Sequence, residues 1–124
     1  VELTFAQVEA EVRRLVAENP DHIYRGKLRP YQPQKCYYVA PEDGSAEACL
    51  FGQALTNLGV PDDYLADFEF GPVQDILGSL GVECSDQEEW WMNEVQGAQD
   101  RKQDWAGALT YGDEEHPLHE TDSV

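Results

Sequence analysis

Cys49 opens the run Cys-Leu-Phe-Gly-Gln-Ala-Leu (49–55), and its thiol is the side chain whose placement most invites nucleophilic chemistry. A cysteine near a helix N-terminus can have its thiolate stabilised and become reactive. With Phe51 set at zero on a helical wheel, Ala48, Ala54, Leu55 and Leu58 fall within about 60°, whereas Cys49 falls at about 160°, between Thr56 and Gln53. The thiol is thus expected off the main apolar stripe. Glu42, Asp43 and Glu47 oppose thiolate formation by like charge. The three histidines, His22, His116 and His119, are far off in sequence. A small buried cysteine under a second packing layer explains the position equally well. Gly52 fits that reading, because a helix-interior glycine is tolerated where another backbone or a ring comes close. A tryptophan of the last helix is expected in the groove left by Ala48 and Gly52. Packing is the reading adopted for Cys49, with catalysis as its rival.

A second constellation lies at 93–105, rich in amides and acids. Gln96, Asp100 and Gln103 share one helical face, with Asn93 a turn before. Turned toward Cys49 and Gln53, that face would line a polar pocket. Turned outward it is an ordinary wet face, the expected outcome for a surface helix. A third group, Tyr24, Arg25, Lys27, Arg29 and Tyr31, mixes bases with aromatics, a combination that suits an acidic or aromatic ligand. Folding back onto acidic helices as internal charge compensation is the expected alternative. His116 and His119 have a metal-like spacing, but Pro117 between them interrupts any helix, and no metal site or cofactor is expected. No Gly-rich phosphate loop, GxSxG or HExxH is present.

These residues must be carried by a mainly α fold, about five helices around one core. Thr4 and Gln7 form a capping box ahead of Phe5, Val8, Val12, Leu15 and Val16, which predicts a helix over 5–18. Ser45 or Asp43 is expected to cap a helix that ends at Leu58, before Gly59 and Pro61. Short helices are expected over 61–68 and from Pro72 to Leu80. Ser85 and Glu88 form a second capping box, and helical spacing then continues to about Leu109 through Trp91, Val95, Ala98 and Trp105. Residues 22–40 hold the one strand-like stretch, Cys36–Ala40, which is expected to pair with 22–26 as a small hairpin or extended element. Residues 1–112 are expected to form one acidic globular domain, and 113–124 a polar tail.

The charge is extreme: 25 acids against 8 bases, net −17 over 124 residues. From Cys36 to Asp100 there is no Lys or Arg, while fourteen acids fall in that span. Such a surface disfavours direct nucleic-acid binding, which needs a basic patch, and disfavours anionic membranes. It suits a partner with a basic surface, or serves solubility alone. Three cysteines at wide spacing, without a CxxC pair, read as free thiols in a reducing cytoplasm. No apolar run approaches the roughly 18 residues of a membrane span, and no secretory leader is expected.

The run Cys-Leu-Phe-Gly-Gln-Ala-Leu and the later A-Q-D-x-x-x-x-W-x-x-A-L at 98–109 resemble short uncharacterised proteins of actinobacteria and their phages. The resemblance implies a cytoplasmic, accessory protein and assigns no role to any residue. The expectation is therefore a small, acidic, non-enzymatic protein-binding module, accessory or inhibitory. In its sharpest form it is a nucleic-acid mimic that contacts a basic groove through Asp62, Asp63, Asp67, Glu69, Glu88 and Glu89. The alternative is a small-molecule binder or thiol-dependent enzyme built on Cys49, Gln53 and the amide-rich face.

Overall fold

The computed structural model describes residues 3–24, 37–40, 47–68, 71–101 and 103–118. Among these it contains six helices: α1 (Phe5–Glu18), α2 (Leu50–Asn57), α3 (Asp62–Ala66), α4 (Val73–Ser79), α5 (Asp86–Asp100) and α6 (Trp105–Glu115). The fold is mainly α, as the periodicity predicts. Both capping boxes form: the Thr4 hydroxyl accepts from Gln7 N while the Gln7 side chain accepts from Thr4 N, and Ser85 and Glu88 do the same at α5. Each answers two otherwise orphaned amides locally.

Three expectations are corrected. The long last helix is two helices. Asp104 caps a new start, its carboxylate accepting from Gly107 N at 2.7 Å. Trp105 N and Ala106 N, further orphan donors of α6, donate to the carbonyls of His22 and Pro20, each at 2.9 Å. The chain folds back there, so Trp91 and Val95 of α5 face Gly112 of α6. Gly97 and Gly107 sit inside helices and break neither. Second, Ile23 pairs with Asp104 in an isolated antiparallel bridge, whereas the hairpin partner proposed at 36–40 is irregular over 37–40. The connection through 25–36 lies outside the described residues. Third, α2 begins at Leu50 with Cys49 as N-cap, later than a cap at Ser45 or Asp43 would place it.

Trp91 sits at the centre of the core, fully buried, with the rings of Phe5 and Phe51 edge-on at 6.0 and 6.1 Å. Around it close Val8, Val12, Leu55, Leu65, Ile76, Leu77, Met92, Val95 and Trp105. Residues 113–118 of the expected tail join this body: α6 runs to Glu115, Leu118 packs against the core, and Gln87 Nε2 donates to the Pro117 carbonyl at 3.0 Å; the rest of that tail lies outside the described residues.

The helix ends α2 and α4 are built alike. In each a Leu-Gly-Val triplet closes the helix: Val60 N donates to Leu55 O and Val82 N to Leu77 O, at 3.0 and 2.9 Å. Gly59 and Gly81 take φ of +99° and +80° between them. This is a Schellman closure, in which glycine supplies the left-handed turn and the valine packs back on its own helix.

Gly52 answers a different need. The backbone of Tyr38, not a tryptophan, lies across it: a Cβ placed there would strike the Tyr38 carbonyl oxygen and stand 2.7 Å from its Cα. Gly52→Ala is expected to destabilise the protein by about 2–3 kcal/mol or more, since only backbone movement relieves the clash. Gly78→Ala, helical and facing open space, is expected to stabilise by about 0.5–1 kcal/mol. Urea unfolding of both variants reads the contrast; equal effects would contradict it.

Candidate functional site

Cys49 is fully buried. Its N–H donates to the Tyr37 carbonyl at 2.7 Å and its carbonyl accepts from Gln53 N at 2.8 Å. The thiol does not cap the helix. The next amide, Leu50 N, donates to the Oε1 of Gln99 at 2.7 Å, deep in the core. The carbonyl of an irregular segment and an α5 side chain thus answer the amides of the N-cap and of the first helical residue. No base stands within hydrogen-bond reach of the Cys49 sulfur among the described residues. His22 is engaged elsewhere, with Nε2 2.5 Å from the Glu47 carboxylate and its ring 4.5 Å from that of Trp105. A thiol with neither exposure nor a base lacks what nucleophilic attack requires.

The amide-rich face turns inward only at Gln96: Asn93 and Gln103 are exposed, Asp100 is half-buried and Gln103 lies beyond the end of α5. α5 is flanked by α6 on one side and by α2 with Tyr38 on another, and the neighbouring Gln99 is drawn in beside Gln96. Gln96 and Gln99 are both buried. Gln96 Nε2 donates to the Tyr38 hydroxyl at 3.2 Å, and that hydroxyl donates to the Gly71 carbonyl. Gln99 Nε2 donates to the Asp100 carboxylate at 3.1 Å. These groups satisfy one another rather than converge on a cavity with Gln53, whose Nε2 donates to the Ala48 carbonyl at 2.8 Å. Gln53 and Asp62 instead meet in a shallow surface groove with Tyr38, Val39 and Thr56. Tyr24 is buried, its hydroxyl accepting from Tyr37 N at 2.8 Å. Arg25, Lys27, Arg29, Tyr31 and Glu69 lie outside the described residues.

Charge is distributed unevenly over the folded surface. Arg13 lies over the Trp91 ring and grips Asp113 with two hydrogen bonds, at 2.9 and 2.8 Å, while its Nε reaches Glu9 at 2.8 Å. Trp91 Nε1 donates to the same Asp113 carboxylate at 2.9 Å. Arg14 pairs with Glu11 and Glu18. The Arg14 hydrogen bond, seconded by Asn57, holds the Glu11 carboxyl below its usual range. Arg101, the third described cation, rests over the Tyr111 ring, 5.9 Å from its centroid. The α3–α4 end has no such neutralisation. Asp62, Asp63 and Asp67 are exposed, and no cation pairs with them among the described residues. Glu88 is engaged in its capping box and Glu89 is half-buried.

Beside those carboxylates lies an apolar cleft that the sequence reading did not single out. Leu3, Leu58, Val60, Pro61, Tyr64 and Leu80 line it, enclosing about 220 Å³. The two Leu-Gly-Val endings are the signal that marks it, since each leaves its C-cap leucine at the cleft. Among the described residues no three His, Cys, Asp or Glu side chains gather as metal ligands, and no helix is long and apolar enough to cross a membrane. His116 lies beside the Trp90 ring.

Compared with protein-family models, with curated proteins and with solved structures, the chain matches none.

Two measurements test this description. In the native protein near neutral pH, Cys49 is expected to resist alkylation until the chain unfolds; rapid native labelling at Cys49, located by peptide mapping, would contradict its burial. At Cys84, burial, then the charges of Glu88 and Glu89, pushes the thiol up to about 11. The Asp100 carboxyl is raised to about 7, chiefly by burial, against the Gln99 hydrogen bond and the Arg101 charge. Unfolded, it titrates near about 4. Folding therefore takes up a proton between these values, and the stability this provides is lost as pH rises through about 7. Asp100→Asn is expected to remove that slope, leaving the variant more stable than the parent at pH 8 and not at pH 4. Superimposable stability profiles would contradict the assignment.

Proposed function

We propose that this protein works by binding another protein, through the exposed carboxylates of its α3–α4 end. The observation that carries the reading is the division of charge just described. The α1 cations are engaged by Glu9, Glu11, Glu18 and Asp113, while Asp62, Asp63 and Asp67 face solvent with no counter-charge among the described residues. Unpaired surface charge of one sign steers a partner of the opposite sign and fixes its register. A basic groove built for a nucleic-acid backbone is the partner surface that such carboxylates fit best, which makes a nucleic-acid mimic the sharpest form of the proposal. The thiols of Cys49 and Cys84 are unpaired, which accords with a reducing cytoplasm.

Capture of partners on the immobilised full chain tests the proposal. A basic protein is expected to be retained at about 0.05 M NaCl and released by about 0.5 M, where the Debye length has shrunk several-fold. Asp62→Asn, Asp63→Asn and Asp67→Asn combined are expected to lower retention by about tenfold. Capture indifferent both to salt and to these substitutions would overturn the reading.

A further inference from the structure

The carboxylates and the apolar cleft adjoin one another. Pro61 and Tyr64 line the cleft, and Asp62 and Asp63 lie between them in the first turn of α3. We infer that this composite surface seats a basic peptide segment of the partner, with one large apolar side chain anchored in the cleft. The inference rests on the proposed function and specifies its partner.

The cleft is a fixed feature rather than a gap between loose ends. Its floor comes from the two Schellman closures, whose backbone bonds hold Leu58 and Val60 at the end of α2 and Leu80 at the end of α4. Tyr64 joins them: its hydroxyl shares a hydrogen bond with Ser79, and its ring packs on Phe68 at 5.5 Å. Leu3 forms the wall nearest the start of α1. Leu80 is 37% exposed, open to an incoming group. At about 220 Å³ the space falls below the roughly 300–1,000 Å³ of a small-molecule site and suits a single leucine-sized group.

Charge chooses the occupant. Asp62 and Asp63 follow Pro61 of the lining in the chain and are both exposed, Asp62 on the neighbouring groove with Gln53 and Thr56; no cation pairs with them among the described residues, so an anionic or neutral ligand lying across this end would leave them unanswered. A second copy would bring the same carboxylates and another net −17 against them. A cationic segment with an apolar anchor answers both features, the side chain supplying affinity and the bases orientation.

The test uses the full chain and two synthetic lysine-rich peptides of equal length and charge, one with a central leucine and the other with serine in its place. Fluorescence anisotropy at low salt reads their affinities. The leucine peptide is expected to bind about tenfold more tightly, the return on burying one aliphatic side chain. Leu80→Gln is expected to erase that advantage and leave the serine peptide unchanged. Leu3→Gln, at a different wall, is expected to do the same, so the result does not depend on one variant folding. Asp62→Asn with Asp63→Asn is expected to weaken both peptides alike. Equal affinity of the two peptides, or a leucine advantage that survives both cleft substitutions, overturns the cleft assignment and leaves the acidic-surface reading standing. Failure of both peptides to bind overturns the cleft assignment and the acidic-surface reading alike. A dimer in sedimentation that Leu80→Gln dissolves would give the cleft to a second copy and overturn the inference.

Discussion

The contact on which the rest of the structure depends is the passage of the Tyr38 backbone across Gly52. It brings a non-helical segment to within van der Waals distance of a helix axis, which only a glycine permits. Once seated there, Tyr38 is fully buried and its hydroxyl joins the Gly71 carbonyl to the Gln96 amide. The preceding carbonyl, of Tyr37, receives Cys49 N–H. One residue thus ties together the start of α2, the approach to α4 and the inner face of α5. The burial of Cys49 follows from this seat, as does the inward turn of the α5 amides. Polar groups so buried must be satisfied in full, and here they satisfy one another.

How much of this is legible in the sequence depends on how local each signal is. The helices α1 and α5 announce themselves through capping boxes contained within four residues, and their starts fall where those boxes place them. The apolar rows of α1 and α4 are likewise read from spacing alone. The face of α5 is not. Gln96 and Gln99 look like surface residues until a tyrosine some sixty positions earlier supplies a hydroxyl and α2 supplies an unpaired amide. The break between α5 and α6 was masked because the apolar spacing continues through it. Asp104 ahead of Trp105 carries the capping signal, but its force comes from the carbonyls of Pro20 and His22, which no short window contains. Gly52 is legible as a point of close approach, but the approaching group is not, because a backbone leaves no mark in a pattern of side chains.

The candidate site shows the same division. Asp62, Asp63 and Asp67 were recognisable as exposed acids from their place in a short helix after a proline. That they lack counter-charges among the described residues, while Arg13 and Arg14 are engaged, is seen only in the folded chain. The cleft beside them arises where two helix ends of the same type are drawn together, a relation between Leu58 and Leu80 that neither segment states by itself. Sequence supplies the charge and structure supplies its arrangement.

The central proposal is that the carboxylates of the α3–α4 end, which no described cation compensates, leave a repulsion that a basic partner would relieve. Its most direct measurement is the unfolding free energy of the protein alone as NaCl is raised from about 0.05 to about 0.5 M, where screening acts on exposed charges. Stability is expected to rise across that range, as unpaired carboxylates cease to repel one another. Stability that falls with salt would mean that the Arg13 and Arg14 ion pairs dominate and that the acidic end is already compensated, contradicting the account.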